Sequence, residues 1–474
     1  MIFTSFEFVL FFIFVLAGRA LLRNFAAEKW FLLVCSYAFY MSWSVACGLL
    51  ILATSLIDYA VGLGLERIEE KAKRKLLLVV SIVANLGVLA FFKYTNFLLD
   101  NLSAARGALG FEQAHWHYDI ILPAGISFFT FQSMTYTIEA YRRNLKVSHS
   151  LRDFLLFVAF FPQLLAGPIN RAADLLPQFA RRVRATALDF EIGLTQFAIG
   201  AVKKLVISDQ VAPHVDIIFK APGNYDAFTL LQGVLGYGVQ IYCDFSGYSD
   251  MAIGCARMMG FRFMENFQMP YSAVNITEFW RRWHISLSSW FRDYLYIPLG
   301  GNRKGAGRTY INLLVTMLLC GLWHGASWNF VFWGGLHGVA LAVHRLWKGI
   351  GMSGGTTAGP VLDFVRTATS RLFTLGVVLV GWIFFRAQSW SDATEYLGRL
   401  TTWRTDGLPL GSPYIIPAVA AVVLVHLLVN KNRNLAHEIP QYTMPVRVGA
   451  YGALVATLAL FGATDAAPFI YFQF

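Results

Sequence analysis

The sequence has 474 residues, 56% of them hydrophobic and only 14% charged, with a formal net charge of +11. Soluble domains carry charge on about a quarter of their residues, so this few cannot cover a water-exposed globule of such length. That excludes a cytosolic enzyme and a disordered chain, and it leaves an all-α polytopic membrane protein whose solvent is the lipid bilayer.

A nucleic-acid binder is excluded too, because the basic runs interrupt apolar segments and form no separate domain. The opening stretch MIFTSFEFVLFFIFVLAGRALLR has its cations after the apolar run, so it reads as a first transmembrane helix and not a cleaved signal. Arg19, Arg23 and Lys29 then place the end of that span on the cytoplasmic side. Further apolar runs follow at 30–50, 51–65, 76–92, 120–141, 151–168, 190–207, 228–243, 311–322, 325–343, 371–385, 413–429 and 446–463. A span takes about 20 residues, and several runs are shorter, so about 10–12 spans with re-entrant and interfacial helices are expected.

The basic loop ERIEEKAKRK (66–75) and the pair Arg142–Arg143 mark two cytoplasmic loops. The run 151–168 has basic sequence on both flanks, which a re-entrant segment broken at Gly167-Pro168 would reconcile. The Gly/Thr-rich stretch 348–370 reads as a linker, and no polar stretch is long enough for a soluble domain. One membrane domain over 1–474 is the economical reading. The five cysteines lie in apolar stretches without a CxxC spacing and read as small core residues. No metal site is expected: His115 and His117 near Asp119 fit an exposed loop better than a ligand set.

Three stretches concentrate chemistry. In QIYCDFSGYSDMAIG (240–254), Asp244, Ser246, Tyr248 and Asp250 sit in an apolar neighbourhood, where carboxylates must be paired, protonated or facing water. In NITEFWRRWHISLSSWFRDYLY (275–296), apolar residues including Trp280, Trp283 and Trp290 recur at helical spacing, with Arg281, His284, Ser288 and Arg292 opposite. That pattern predicts one amphipathic interfacial helix, started by Asn275 and Glu278 as a capping-box-like pair. In INLLVTMLLCGLWHGASWNFVFWGGLHG (311–338), His324 lies thirteen residues into an apolar run. A helix begun at Ile311 would carry it about 20 Å into a core about 30 Å thick. An ionisable group so placed is a functional-site candidate by default, and Gly321 and Gly325 beside it permit close approach and a helix break.

These stretches, with FPQLLAGPINR (161–171), MGFRFMENFQMPY (259–271), the extension of the second stretch through GGNR (300–303) and the terminal FIYFQF (469–474), resemble the membrane-bound O-acyltransferase (MBOAT) family. The similarity is greatest to its bacterial branch, which contains the membrane subunit of alginate O-acetylation. The resemblance implies a ring of tilted helices around a central funnel or channel. It implies His324, in WHG, as the principal catalytic histidine and His284, in WRRWHISLS, as the second. It also implies acyl transfer from a cytoplasmic thioester, acetyl-CoA being the favoured donor, with no bound cofactor. In the polysaccharide branch a periplasmic hydrolase-like acetyltransferase completes the reaction, alongside the polymer synthesis and export machinery, at the bacterial inner membrane.

The residue chemistry is compatible with that resemblance. A neutral histidine suits activation of a hydroxyl near pH 7. Trp323, Asn329 and Trp283 offer N–H groups for a developing oxyanion or a channel wall. Asp244, Ser246, Tyr248 and Asp250 would support the histidines, and Arg281, Arg282 and Arg292 would meet donor phosphates. D-alanine transfer from a carrier thioester, an acyl transporter and a non-catalytic scaffold are the competing readings.

Overall fold

The computed structural model describes residues 1–112, 116–165, 167–350, 359–429, 434–463 and 467–473, side chains at 472–473 excepted. Helices dominate them, and the described residues contain no β-strand. Contacts group the chain into two compact units: residues 1–198 with 248–264, and residues 199–247 with 265–474.

The first unit opens with α1 (Phe6–Leu21), α2 (Phe25–Met41), α3 (Val45–Arg67), α4 (Lys71–Ala108) and α5 (Ile126–Arg142). Short side chains start the first three: Ser5, Asn24 and Ser44 each accept a backbone N–H of the first turn. Phe3, Phe8, Phe39 and Phe161 pack as a buried aromatic cluster. The cations expected at the cytoplasmic surface are in part turned inward. Arg19 pairs with Glu28 at 2.8 Å and Lys29 with Asp153 at 2.7 Å, all four buried. Arg74, from the basic loop, donates to carbonyls at the C-terminal ends of both α3 and α5, where partial negative charge collects. The buried Asp58 accepts hydrogen bonds from Ser81, Asn85 and Ser133.

After these come α6 (Leu151–Ala159), α7 (Phe161–Leu164), α8 (Ala172–Ala180) and α9 (Ala187–Ala201). The run 151–168 is thus broken, as expected: once at Phe160, and again after Leu164, so that Gly167-Pro168 lies outside any helix. Pro162, which lacks an N–H, suits the first turn of a helix, where that donor has no intrahelical partner, and the chain restarts there. At nine residues α6 is about 14 Å long and cannot cross a bilayer.

The second unit contains a π-helical turn, Val202–Ser208, then α10 (Asp209–Lys220) and α11 (Ala227–Met258), whose last turns belong to the first unit. It continues with α12 (Ile276–Arg282), α13 (Ile285–Phe291), α14 (Gly305–His324), α15 (Trp328–Gly349) and α16 (Pro360–Arg386). The unit ends with α17 (Trp390–Thr401), α18 (Ile415–Leu428), α19 (Leu435–Glu438) and α20 (Met444–Phe461). The linker expected over 348–370 is shorter at its C-terminal side, because Pro360 opens α16; residues 351–358 lie outside the described ones.

Five described helices are long and apolar enough to cross a membrane: α3, α4, α14, α16 and α20. This is fewer than the 10–12 spans expected. Apolar runs such as α1, α2, α5 and α18 fold as helices of 14–17 residues, below the length of a typical span.

The α14–α15 hairpin is held by backbone-to-backbone approach. A Cβ at Gly321 would strike the Phe330 carbonyl, and one at Gly334 the Met317 carbonyl. Overpacking costs about 1–3 kcal/mol where a side chain can yield, and backbone yields less. Gly334→Ala is therefore expected to lower the thermal unfolding midpoint in detergent, whereas Gly349→Ala, with open space around it, leaves it unchanged.

Candidate active site

The amphipathic helix expected over 275–296 is not one helix. It is α12, a break at Trp283–His284, α13 and a π-helical turn, Arg292–Tyr296. The start is as expected: Asn275 Oδ1 accepts from Glu278 N at 2.9 Å, and Glu278 accepts from Val274 N. The break comes from His284, which is left-handed at φ 44°, ψ 56°. A non-glycine residue holds that conformation only where its surroundings repay the strain.

Asn266 supplies the repayment. Its side-chain oxygen accepts from Ser286 N at 3.2 Å and Ser286 Oγ at 2.9 Å, and lies 3.2 Å from His284 Nδ1. Its carbonyl accepts from Ile285 N at 2.9 Å. The turn faces inward: His284 is wholly buried, and Trp280, Trp283 and Trp290 are buried with it. The tryptophan face therefore packs against protein, not in a headgroup layer. Removing the acceptor in Asn266→Ala is expected to cost about 1–3 kcal/mol, because the buried Ser286 N–H and hydroxyl lose their partner. Chemical or thermal denaturation of the purified protein measures it.

His324 is the last residue of α14, and extended Gly325 ends the helix after it. The helix starts at Gly305, six residues before the expected point, so His324 stands at the end of a helix about 30 Å long and not within it. Protein buries it: Trp323, Trp333, Phe385 and Tyr471 surround the ring, with centroids 4.9–5.5 Å away. His284 is ringed by Phe245 at 4.6 Å and Trp323 at 6.0 Å. The Trp323 ring thus contacts both histidines, and Phe245 and Tyr471, 4.7 Å apart, form a second link between them. His337, on α15, packs on Trp333 at 4.8 Å and accepts from Trp280 Nε1 at 3.3 Å. The helix break explains how His337 and His324 meet one tryptophan despite their spacing in sequence.

The remaining candidates divide. Asp244 is buried and bound to Lys204 at 2.5 Å. Ser246 is buried on the same helix. Tyr248 and Asp250 belong to the first unit, Tyr248 beside Phe3 and Asp250 accepting from Gln196 at 3.3 Å. Asn329 donates to Ala387 O at 3.0 Å and ties α15 to the end of α16. Trp283 stacks on Phe279 and packs on Trp382. Arg282 is buried against Glu278 and donates to Ser272 Oγ at 2.6 Å, which anchors the turn before α12. Arg281 and Arg292 are exposed, Arg292 beside Asp293. His117 and Asp119 are exposed, and His115 lies outside the described residues.

Sequence reasoning passed over Lys204, Asn266, Phe245 and Tyr471. Only Lys204 carried a signal: a lysine within an apolar run needs a partner, and Asp209, five residues on, was the nearest carboxylate.

Comparison with known proteins fits this arrangement. The model of the membrane-bound O-acyltransferase family matches residues 71–350. The chain belongs to that family. It is 40% identical over its whole length, and that of its relative, to a probable alginate O-acetylase AlgI of Pseudomonas putida. It is 44% identical, over 86% of this chain and 77% of the relative, to the corresponding protein of Pseudomonas aeruginosa. It is 36% identical, over 80% of this chain and 75% of the relative, to the peptidoglycan O-acetyltransferase of Helicobacter pylori. This MBOAT protein is accordingly an O-acyltransferase and a multi-pass membrane protein of bacterial type.

Proposed function

We propose that the protein takes an acetyl group from cytoplasmic acetyl-CoA and passes it across the inner membrane for O-acetylation of an extracellular polysaccharide, alginate or a similar polymer being favoured. A periplasmic acetyltransferase would finish the transfer beside the export machinery. The observation that carries this reading is that His324 and His284 both pack against the buried Trp323 ring within one aromatic cage. His324 acts as the base: it takes the hydroxyl proton of the acceptor as its oxygen attacks the thioester carbonyl, and as the C–S bond breaks the imidazolium returns that proton to the leaving thiolate. The apolar walls exclude water, which would otherwise hydrolyse the thioester. Arg281 and Arg292, with Arg303, Lys304 and Arg308, form an exposed basic stretch suited to the donor's phosphates. The names of the relatives support acetyl over D-alanyl transfer.

The test uses purified protein in sealed vesicles with radiolabelled acetyl-CoA and a periplasmic fraction from a polymer-acetylating strain. Release of coenzyme A with label moving to acceptor in the opposite compartment is the expected result. Intact acetyl-CoA, together with consumption of a carrier-protein thioester, would replace this donor with the carrier.

A further inference from the structure

The mechanism above leaves the buried charge cluster around Lys204 unused. Lys204, in the π-helical turn, holds Asp209 at 2.8 Å and Asp244 at 2.5 Å, with all three side chains at most 2% exposed. Two carboxylates on one ammonium leave the cluster an acceptor, and the second Asp244 oxygen takes the backbone N–H of Ile470 at 2.8 Å. The same turn binds the chain a second time, where Ala463 N donates to Leu205 O at 3.0 Å. The next residue on α11, Phe245, meets Tyr471 at 4.7 Å and Phe469 at 5.4 Å, and edges His284 at 4.6 Å. Tyr471 lies against His324 at 5.5 Å. Phe469 and Ile470 are buried, so this segment is packed and not a loose end.

We propose that Asp244, charged and aimed by Lys204, is a latch that seats the C-terminal segment 469–471 as one wall of the histidine cage. Asp244 and Lys204 are positioning residues: they touch neither histidine and act through the segment they hold. This assignment rests on the reading of His324 and His284 as the reacting site. It explains why a carboxylate and an ammonium are both buried at this level of α11 and the π-helical turn. A carboxylate acceptor grips a backbone N–H about twice as strongly as a neutral one, and the ammonium at 2.5 Å favours the carboxylate form.

Two variants test the latch in the full-length protein in lipid nanodiscs. Asp244→Asn removes the charge and keeps the shape. Ile470→Pro removes the N–H from the other side without touching the cluster, and proline suits the first position of a helical turn. Hydrogen–deuterium exchange of the C-terminal peptide reads the seating, and acyl turnover reads its consequence. Exchange should quicken at least about tenfold in both variants, with peptides of α11 and α14 unchanged. Turnover at saturating donor should fall at least about tenfold while the donor KM holds, since misplacing a cage wall affects the reacting geometry. Unchanged tail protection in both variants, or a released tail with full turnover, overturns the proposal. If the wild type consumes no acyl donor at all, the functional reading fails, and the exchange arm still decides whether Asp244 seats the segment.

Discussion

Replacing His324 with alanine is expected to lower acyl transfer by about 10²–10⁴-fold, the usual contribution of a positioned general base. The ring is held by four aromatic neighbours and ends α14, so its orientation is fixed by packing before any substrate arrives. Alanine opens space among those rings, so His324→Gln serves as the second variant: it keeps most of the volume and lacks the imidazole. Both should insert and fold, the glutamine variant with an unchanged unfolding midpoint, and both should fail to release coenzyme A. A glutamine variant with near-normal turnover would remove His324 from the chemistry. His284 is expected to matter through a different route, since its ring is wholly buried and its backbone shapes the turn between α12 and α13.

Lys204→Met should be among the most damaging substitutions for stability. It leaves Asp209 and Asp244 buried together without a counter-charge, and breaking a buried pair by removing one partner costs about 3–5 kcal/mol. Thermal unfolding of the purified protein gives the measurement. The triple variant Lys204→Met/Asp209→Asn/Asp244→Asn should recover much of the loss, because the cost lies in the stranded charges and not in the missing contact. If the single and triple variants are equally destabilised, packing around Lys204, and not charge, is what the cluster provides.

The two histidines were legible in sequence because each stands out chemically from an apolar background. Their burial depth was not: His284 was expected on a solvated helix face and His324 in mid-span. A 3.6-residue periodicity assumes a continuous helix, and it cannot register a left-handed residue such as His284, whose conformation depends on Asn266 eighteen positions away. Lys204 and Asp244 are forty positions apart, and Asp244 and Ile470 are 226 apart. No local pattern encodes such pairings.

Composition and hydropathy by themselves determined that this is a helical membrane protein, because so few charges cannot face water. The long WRRWHISLS and WHG motifs determined its acyltransferase family, and the glycines beside His324 marked where α14 stops. Only the tertiary structure decided that the tryptophans of α12 and α13 face inward, that Arg282 is turned inward onto Glu278, and that Trp323 contacts both histidines. Only it shows Tyr471 packed beside His324. The reason is physical: hydropathy is a property of each residue and can be summed along the chain, whereas a buried charge or a strained turn is stable only through partners that folding brings from elsewhere.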